Sequence, residues 1–487
     1  MSIRHTDYDA LDAVAMADLV ARREVHPGDL LDHALERVAA LNPRLNAVVN
    51  LQEAVARRHI AEGLPAGALR GVPFLLKDLG CEAIEFPCNN GSRLLAVQRY
   101  PRDSAIYLKI REAGLVTFGR TTSPEGGIGP ASEAAVYGAP TRNPWDLERT
   151  PGGSSGGAAA AVGAGIVPAA HGSDGGGSVR IPASCCGLFG FKATRARFPD
   201  GPYAGEGWAG MAIDGFLTRS VRDTAVLADA CAGADLGAPY WAPPLRASHV
   251  DAISRPPPRL RVALCDTTFT GDPIDPEIRD AVHDAARLLE SLGHRVEPAG
   301  PQADTLGMMQ AWTKIVACGT AFAVRRALRG RPLQPDDLEG VARGAVAYAE
   351  TVSGADYVEA LGRIHAYGRE LAAFFTEHDI LLTATLAELP AKIGRFAHDT
   401  EDYVGYRTGP GMVFAYSPFT AAFNASGQPA ASVPLAWSRS GLPIGLHLAA
   451  RFGDDETLMA LCAELEAARP WFARRPPLVG RAARDAV

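Results

Sequence analysis

Five lysines, Lys77, Lys109, Lys192, Lys314 and Lys392, stand in a chain that otherwise supplies positive charge as arginine. A buried lysine can give up its proton and an arginine cannot, so each is a candidate base. Lys77 is the most telling, because "GVPFLLKDLG" sets it at the end of an apolar, strand-like run where lost hydration lowers an amine's pKa. The position equally suits a lysine that snorkels from a strand end or pairs with Asp78. Two glycine-flanked serine clusters follow, "GGSSGG" around Ser154 and Ser155 and "SDGGGSVR" around Ser178. Three glycines in a row before Ser178 let the chain turn its N–H groups towards one point, which an oxyanion site requires, although such strings also make ordinary turns. Asp174 and Arg180 flank that turn and are placed to pair across it, as structural support. His171, seven residues upstream of Ser178, reads as structural.

Other chemistries find less support. Gly152, Ser154 and Gly156 match the G-x-S-x-G elbow of α/β-hydrolases, but an elbow needs a strand immediately before its serine, and "TRNPWDLERTPGG" reads as loop. No phosphate-binding G-x-x-x-x-G-K-[ST] occurs, and no lysine has a serine three residues before it. Cys81, Cys88, Cys185, Cys186, Cys231, Cys265, Cys318 and Cys462 are scattered without CxxC or zinc spacing, so neither a disulfide framework nor a metal is expected, and no cofactor.

The elements that must position these residues alternate. Helical periodicity fills the first sixty residues, with Leu30, Leu31, Ala34, Leu35, Val38 and Leu41 on one stripe and Asp29 as the expected N-cap after Pro27. From residue 71, strand-like runs at 72–76 and 115–118 enclose a helix at 104–113. The alanine-rich stretch after Ser155 predicts a tightly packed helix, followed by a strand at 166–170. A helix at 220–231, a strand at 260–265, a mostly helical region at 275–376 and late strands at 380–383, 430–435 and 444–449 complete the pattern. Such alternation predicts an α/β fold. No linker separates the halves, so one domain over 1–487 is expected: an N-terminal helical layer at 1–65, a core at 66–235 and further sheet and helices at 236–487. "RPPPRL" at 255–260 is the best boundary candidate within it.

The 487 residues are 47% hydrophobic and 21% charged, as in a globular protein with a large core. A net charge of −7, without a basic run, argues against nucleic acid or anionic membranes as partners. The N-terminal stretch lacks a targeting pattern and no apolar segment is long enough to span a bilayer, so the expectation is a cytoplasmic enzyme acting on a small molecule.

Taken together, "GVPFLLKDLG", "GGSSGG" and "GSDGGGSVRIPASCCG", with Ser178 twenty-four residues after Ser154, resemble the amidase signature family. The resemblance continues through "GLFGFKATRARF", "FNASGQPAASVPL" and "GLPIGLHLAARFGDDETLMALCAELE", over about residues 10 to 480. It implies a large twisted mixed β-sheet with helices on both faces and a Ser, cis-Ser, Lys unit: Ser178 as nucleophile, Ser154 as bridging serine behind a cis peptide, and Lys77 as base. It further implies an oxyanion hole from the N–H groups of Gly175, Gly176, Gly177 and Ser178, with Ser155 in support. The stretch "TTSPEGGIG" at 121–129 departs from the loop of the amidotransferase glutaminase subunits, which argues against transamidation. "GAPTRNPW" and "LEAARPWFARRPPL" are similar to the nylon-oligomer amidases of the family, and other similar members cleave urethanes. Where that subgroup carries bulk, this chain has Gly126, Gly127, Gly175 and Gly176, so a roomier mouth is expected. Ile128 and Cys318 are further substrate-site candidates, with Trp208, Met211, Trp312, Phe414 and Tyr416 as candidates for an apolar wall. Similar proteins commonly dimerise through surface helices, which leaves a homodimer as an option.

Overall fold

The computed structural model describes residues 5–479; the first four and last eight residues of the expected 1–487 unit lie outside the described residues. Eleven strands form one sheet: β1 (Val48–Val49), β2 (Pro73–Lys77), β3 (Val116–Thr121), β4 (Ala169–Asp174), β5 (Phe189–Lys192), β6 (Ile213–Thr218), β7 (Arg261–Leu264), β8 (Arg295–Pro298), β9 (Ile380–Ala384), β10 (Ala430–Trp437) and β11 (Pro443–Ala450). Their spatial order is β1-β3-β2-β4-β6-β5-β10-β11-β9-β7-β8. Pairing is mixed. β2 runs parallel to β3 and β4, and β7 parallel to β8 and β9, while β4, β6, β5, β10, β11 and β9 join antiparallel in that order.

Alternation along the strands divides the core. Phe74, Leu76, Phe216, Ile380, Leu382, Leu446 and Leu448 pack on one face with the helices Val221–Cys231, Pro276–Ser291 and Asp455–Ala468. On the other face Leu75 and Leu217 meet the helices Pro27–Leu45 and Gly156–Gly163, while Leu381 and Ala449 meet Thr305–Leu328 and Gly354–Glu377. Both faces are covered, as a sheet with parallel strands at each end requires. The "RPPPRL" stretch leads into β7, a strand of this same sheet.

Several local expectations shift. The helix Pro27–Leu45 starts one turn earlier than the Asp29 cap implies: His26 Nδ1 caps Gly28 N at 3.0 Å, and Asp29 sits in the first turn, accepting from His26 N at 3.3 Å. Among the N-terminal helices, Met16 and Leu30 pack in the first core and Leu31 in the second. The strand expected at 166–170 runs from Ala169 to Asp174, because Pro168 has no N–H to give a ladder. "FGFK" and "IDGFLT", which form β5 and β6, escaped the reading because Gly190 and Gly215 break their apolar alternation.

The alanine-rich run does form a tightly packed helix, Gly156–Gly163, and every one of its residues is buried. Small side chains let it touch the sheet: a Cβ on Gly157 would lie 2.4 Å from Thr122 N. This contact brings the Ser154 end of the helix against β2. The helix Asp455–Ala468 is tied down at its first residue, where buried Asp455 accepts from Thr194 N at 2.8 Å and from Arg197 Nη2 at 3.0 Å. Asp455→Ala is expected to lower stability by about 3–5 kcal/mol, since it leaves a buried guanidinium unpaired. Urea denaturation at neutral pH checks this, and a loss below about 1 kcal/mol would show that the pair is dispensable.

Candidate active site

Lys77 closes β2 between β3 and β4 and is fully buried. Its Nζ donates to Ser154 Oγ at 2.7 Å and Ser173 Oγ at 2.9 Å, with Ser173 O at 3.5 Å. All three acceptors are neutral. Asp78 is not its partner, because the next residue of the chain points away: Oδ1 of Asp78 accepts from Asn89 N at 2.9 Å and Oδ2 from Tyr137 Oη at 2.6 Å. Burial therefore pushes the Lys77 amine down to about 7, against the pull of Asp174 and Asp214. Fully buried Arg120 shapes the turn after Lys77, donating to the carbonyls of Lys77 at 2.6 Å, Cys81 at 3.0 Å and Phe86 at 2.9 Å. His171 is structural: Nδ1 accepts from Lys77 N at 3.3 Å and Nε2 meets Asp214 Oδ1 at 3.0 Å.

The peptide between Gly153 and Ser154 is cis. Gly153 must be glycine, for a Cβ would lie 2.6 Å from Ala131 N. Ser155 ties this segment to the second cluster: its Oγ accepts from Ser173 N and donates to Ser173 O, both at 3.2 Å, and its N–H reaches Ser178 O at 3.2 Å. Ser154 and half-buried Ser178 line the same cavity.

The turn before Ser178 is built around Asp174. Gly177 departs from the expected donor set, because its N–H donates to Asp174 Oδ1 at 2.7 Å and points inward. Among the described residues the N–H groups of Gly175, Gly176 and Ser178 have no acceptor. Arg180 Nη2 pairs with Asp174 Oδ1 at 2.8 Å and Arg180 Nε with Oδ2 at 3.0 Å, as the flanking positions implied. Burial alone would raise the Asp174 carboxyl, but Arg180 and Asn424 outweigh it and hold the group well below the usual carboxylate range. Asn424 donates to Asp174 O at 2.8 Å and accepts from Arg180 Nη2 at 2.7 Å, and Thr420 Oγ1 donates to Gly176 O at 2.7 Å. Asn424 was legible only as part of "FNASGQPAASVPL", without a role, and Thr420, three residues before that motif, carried no signal.

The cavity over the serines measures about 360 Å³ and is walled by Leu79, Gly126, Gly127, Ile128, Trp208 and Gly319 among others. The expected extra room is absent at three of the four glycines. A Cβ on Gly175 would meet the Trp208 indole at 2.5 Å, one on Gly176 the Trp312 indole at 2.9 Å, and one on Gly127 Leu79 Cδ2 at 2.6 Å; only Gly126 has open space. The two indoles occupy what the missing side chains vacate, and Trp312 Nε1 donates to Gly175 O at 3.1 Å. Trp312 and Phe414 line a smaller chamber that also reaches Ser178. Cys318 is not a wall residue: Trp312 and Gly319 share one phase of the helix Thr305–Leu328, and Cys318 is turned from it towards Tyr348 and Tyr403. Met211 and Tyr416 are buried in the cores rather than at the cavity. Among the described residues no cluster of three or more His, Cys, Asp or Glu could hold a metal, and no helix is long and apolar enough to cross a membrane.

Arg180→Met is expected to cost about 3–5 kcal/mol, because it strands the Asp174 carboxylate in the interior. Chemical denaturation reads the loss, and stability unchanged to within about 1 kcal/mol would mean that the turn does not depend on the pair.

Comparison with known proteins identifies the family. The amidase family's profile matches residues 29–459. A 6-aminohexanoate-cyclic-dimer hydrolase of Paenarthrobacter ureafaciens is 36% identical over 482 residues, covering 96% of this chain and 97% of the relative. The structure of a 6-aminohexanoate cyclic dimer hydrolase complexed with substrate superposes with a TM-score of 0.91 at 35% identity, covering 97% of this chain and all of that one (100%). A bacterial aryl acylamidase of the amidase signature family gives a TM-score of 0.86 at 28% identity, covering 97% and 98%. With the sheet, the family match and the relatives in agreement, the chain belongs to the amidase family and is an enzyme that hydrolyses carbon–nitrogen bonds of amides.

Proposed function

We propose that the protein cleaves small, largely apolar amides, linear or cyclic, together with anilides and carbamates, through an acyl-enzyme on Ser178. The observation that carries this reading is the buried amine of Lys77, lowered to about 7 and 2.7 Å from Ser154 Oγ, in the same cavity as Ser178. A serine hydroxyl is a weak nucleophile and must lose its proton as it attacks. Neutral Lys77 takes a proton from Ser154, and Ser154 takes one from Ser178 as Ser178 Oγ adds to the carbonyl carbon. The N–H groups of Gly175, Gly176 and Ser178 are the donors free to receive the resulting oxyanion, where one donor is typically worth about 3 kcal/mol. Collapse breaks the C–N bond, and the proton returns through Ser154 to the leaving nitrogen. Water then attacks the Ser178 ester over the same relay, releasing the acid and restoring the hydroxyl. Carbamate and ester carbonyls fit the same sequence, and the resemblance of the motifs to urethane-cleaving members supports including them.

The test is steady-state hydrolysis of a matched aryl ester, anilide and carbamate with a chelator present throughout. Ser178→Ala is expected to lower kcat/KM by about 10,000-fold or more, and Lys77→Met by about 100- to 10,000-fold. Anilide turnover that survives Ser178→Ala, or that dies with chelator alone, would overturn the assignment.

The pH dependence follows from Lys77. Below about 7 the amine is protonated and cannot accept, so kcat/KM is expected to rise through about pH 7 and level off above it. A profile flat from about pH 5 to 9 with chemistry limiting would count against Lys77 as the base.

A further inference from the structure

Resting on that reading and deepening it, we infer that Arg407 is a specificity-determining residue that receives an anionic oxygen group, a carboxylate, carried by the substrate close to its scissile carbonyl. Arg407 lies on the helix Tyr403–Thr408 and is 2% exposed. Its guanidinium stacks on aromatic faces, 4.9 Å from the Trp312 ring centre, 5.4 Å from Tyr403 and 5.7 Å from Tyr406. Cation–π contacts of this kind do not themselves use up a guanidinium's N–H donors. Nε and Nη2 are buried and have no hydrogen-bond acceptor, and no acidic side chain among the described residues forms an ion pair with Arg407. The Tyr403 hydroxyl, whose proton goes to Thr313 O at 3.1 Å, is the neutral oxygen that faces Arg407, and it brings no charge to balance the guanidinium. Buried arginines elsewhere in this chain are treated differently: Arg120 is spent on carbonyls, and Arg180 on Asp174, Asn424 and Thr420.

Place and charge give the unpaired cation its partner. Arg407 lines the small chamber, about 30 Å³, that also reaches Ser178, Gly176, Trp208, Trp312 and Phe414. That volume admits only a short group, so the anionic oxygen must sit within a few bonds of the carbon that Ser178 attacks. The larger cavity that also reaches Ser178 is lined by Glu82, Glu125 and Asp214 and has no arginine or lysine in its wall. A substrate bearing a carboxylate is therefore drawn into the chamber that holds Arg407. A charge-assisted, two-pronged contact is the contact that a planar guanidinium makes best with a carboxylate. The indole of Trp312, stacked on Arg407 and bonded to Gly175 O, transmits the fit of that end to the turn beside Ser178.

The experiment compares two matched anilide pairs. In the first, succinanilate carries a carboxylate on the acyl chain and 4-methylpentananilide replaces it with an isopropyl group. In the second, the carboxylate or its isopropyl replacement sits on the aniline ring of a butyranilide. The ratio of kcat/KM for the charged over the neutral member is expected to exceed one in at least one pair, carried by KM, and Arg407→Met should lower that ratio by about 30-fold or more. Arg407→Lys should restore part of it, which a purely structural role would not. A ratio of one or less in both pairs, or a ratio that Arg407→Met leaves unchanged, would overturn the inference. Failure of wild type to hydrolyse any of the four anilides, charged or neutral, would strike the proposed anilide substrates instead. Binding is read separately in Ser178→Ala, where succinanilate is expected to change tryptophan emission through Trp312 and 4-methylpentananilide to bind more weakly. Equal affinity for the charged and neutral members of both pairs would sink the carboxylate site whatever the fate of the variants at Arg407.

Discussion

An amine with no carboxylate to hold its proton is the constraint on which the site depends. Lys77 is wholly inside the protein, yet its Nζ meets only oxygens of Ser154 and Ser173. Hydroxyl and carbonyl dipoles satisfy an ammonium less well than water does, so burial lowers the amine towards neutrality. Any acid at contact distance would undo this by fixing the proton in place. The surrounding structure keeps acids occupied: Asp78 serves the loop at Asn89 and Tyr137, Asp174 serves Arg180 and the turn, and Asp214 serves His171. Arg120, gathering the carbonyls behind Lys77, fixes the strand end without approaching its amine through a hydrogen bond.

Around that amine the chain economises on side-chain volume. A helix of glycine and alanine packs its backbone on β3 and delivers Ser154, and a run of three glycines carries the second cluster past Asp174. Small residues at such contacts are what close backbone approach demands. Near the substrate the economy is cancelled from outside. Trp208 and Trp312 fill the spaces over Gly175 and Gly176, so the cavity is narrow and aromatic at the turn and wider towards Leu79 and Gly126. Shape at the reacting carbonyl is thus set by two rings, one of which also caps a buried cation.

Local spacing made part of this arrangement legible. Asp174 and Arg180 are six residues apart across a glycine turn, and their pairing needs nothing from the rest of the chain. Lys77 stood out because an apolar run ends on it in a sequence that otherwise prefers arginine. The strands of strong alternation were readable, whereas β5 and β6, broken by glycine, were not. Gly177 counted as an outward donor until the turn placed its N–H on Asp174.

The sequence by itself determined which groups could react, because a lysine at a strand end and serines between glycines carry their chemistry in local residue type. It also determined the membership of the turn and its internal ion pair. Tertiary structure alone decided the walls. Trp312 reaches Gly175 across 137 residues and Asn424 reaches Asp174 across 250, and no local pattern encodes which helix arrives at that spot. One residue of helical phase separates Cys318, turned away, from Gly319 at the cavity. Arg407 was invisible among so many arginines, since what distinguishes it is the lack of an acidic partner among the described residues, and partners are a property of packing rather than of order along the chain.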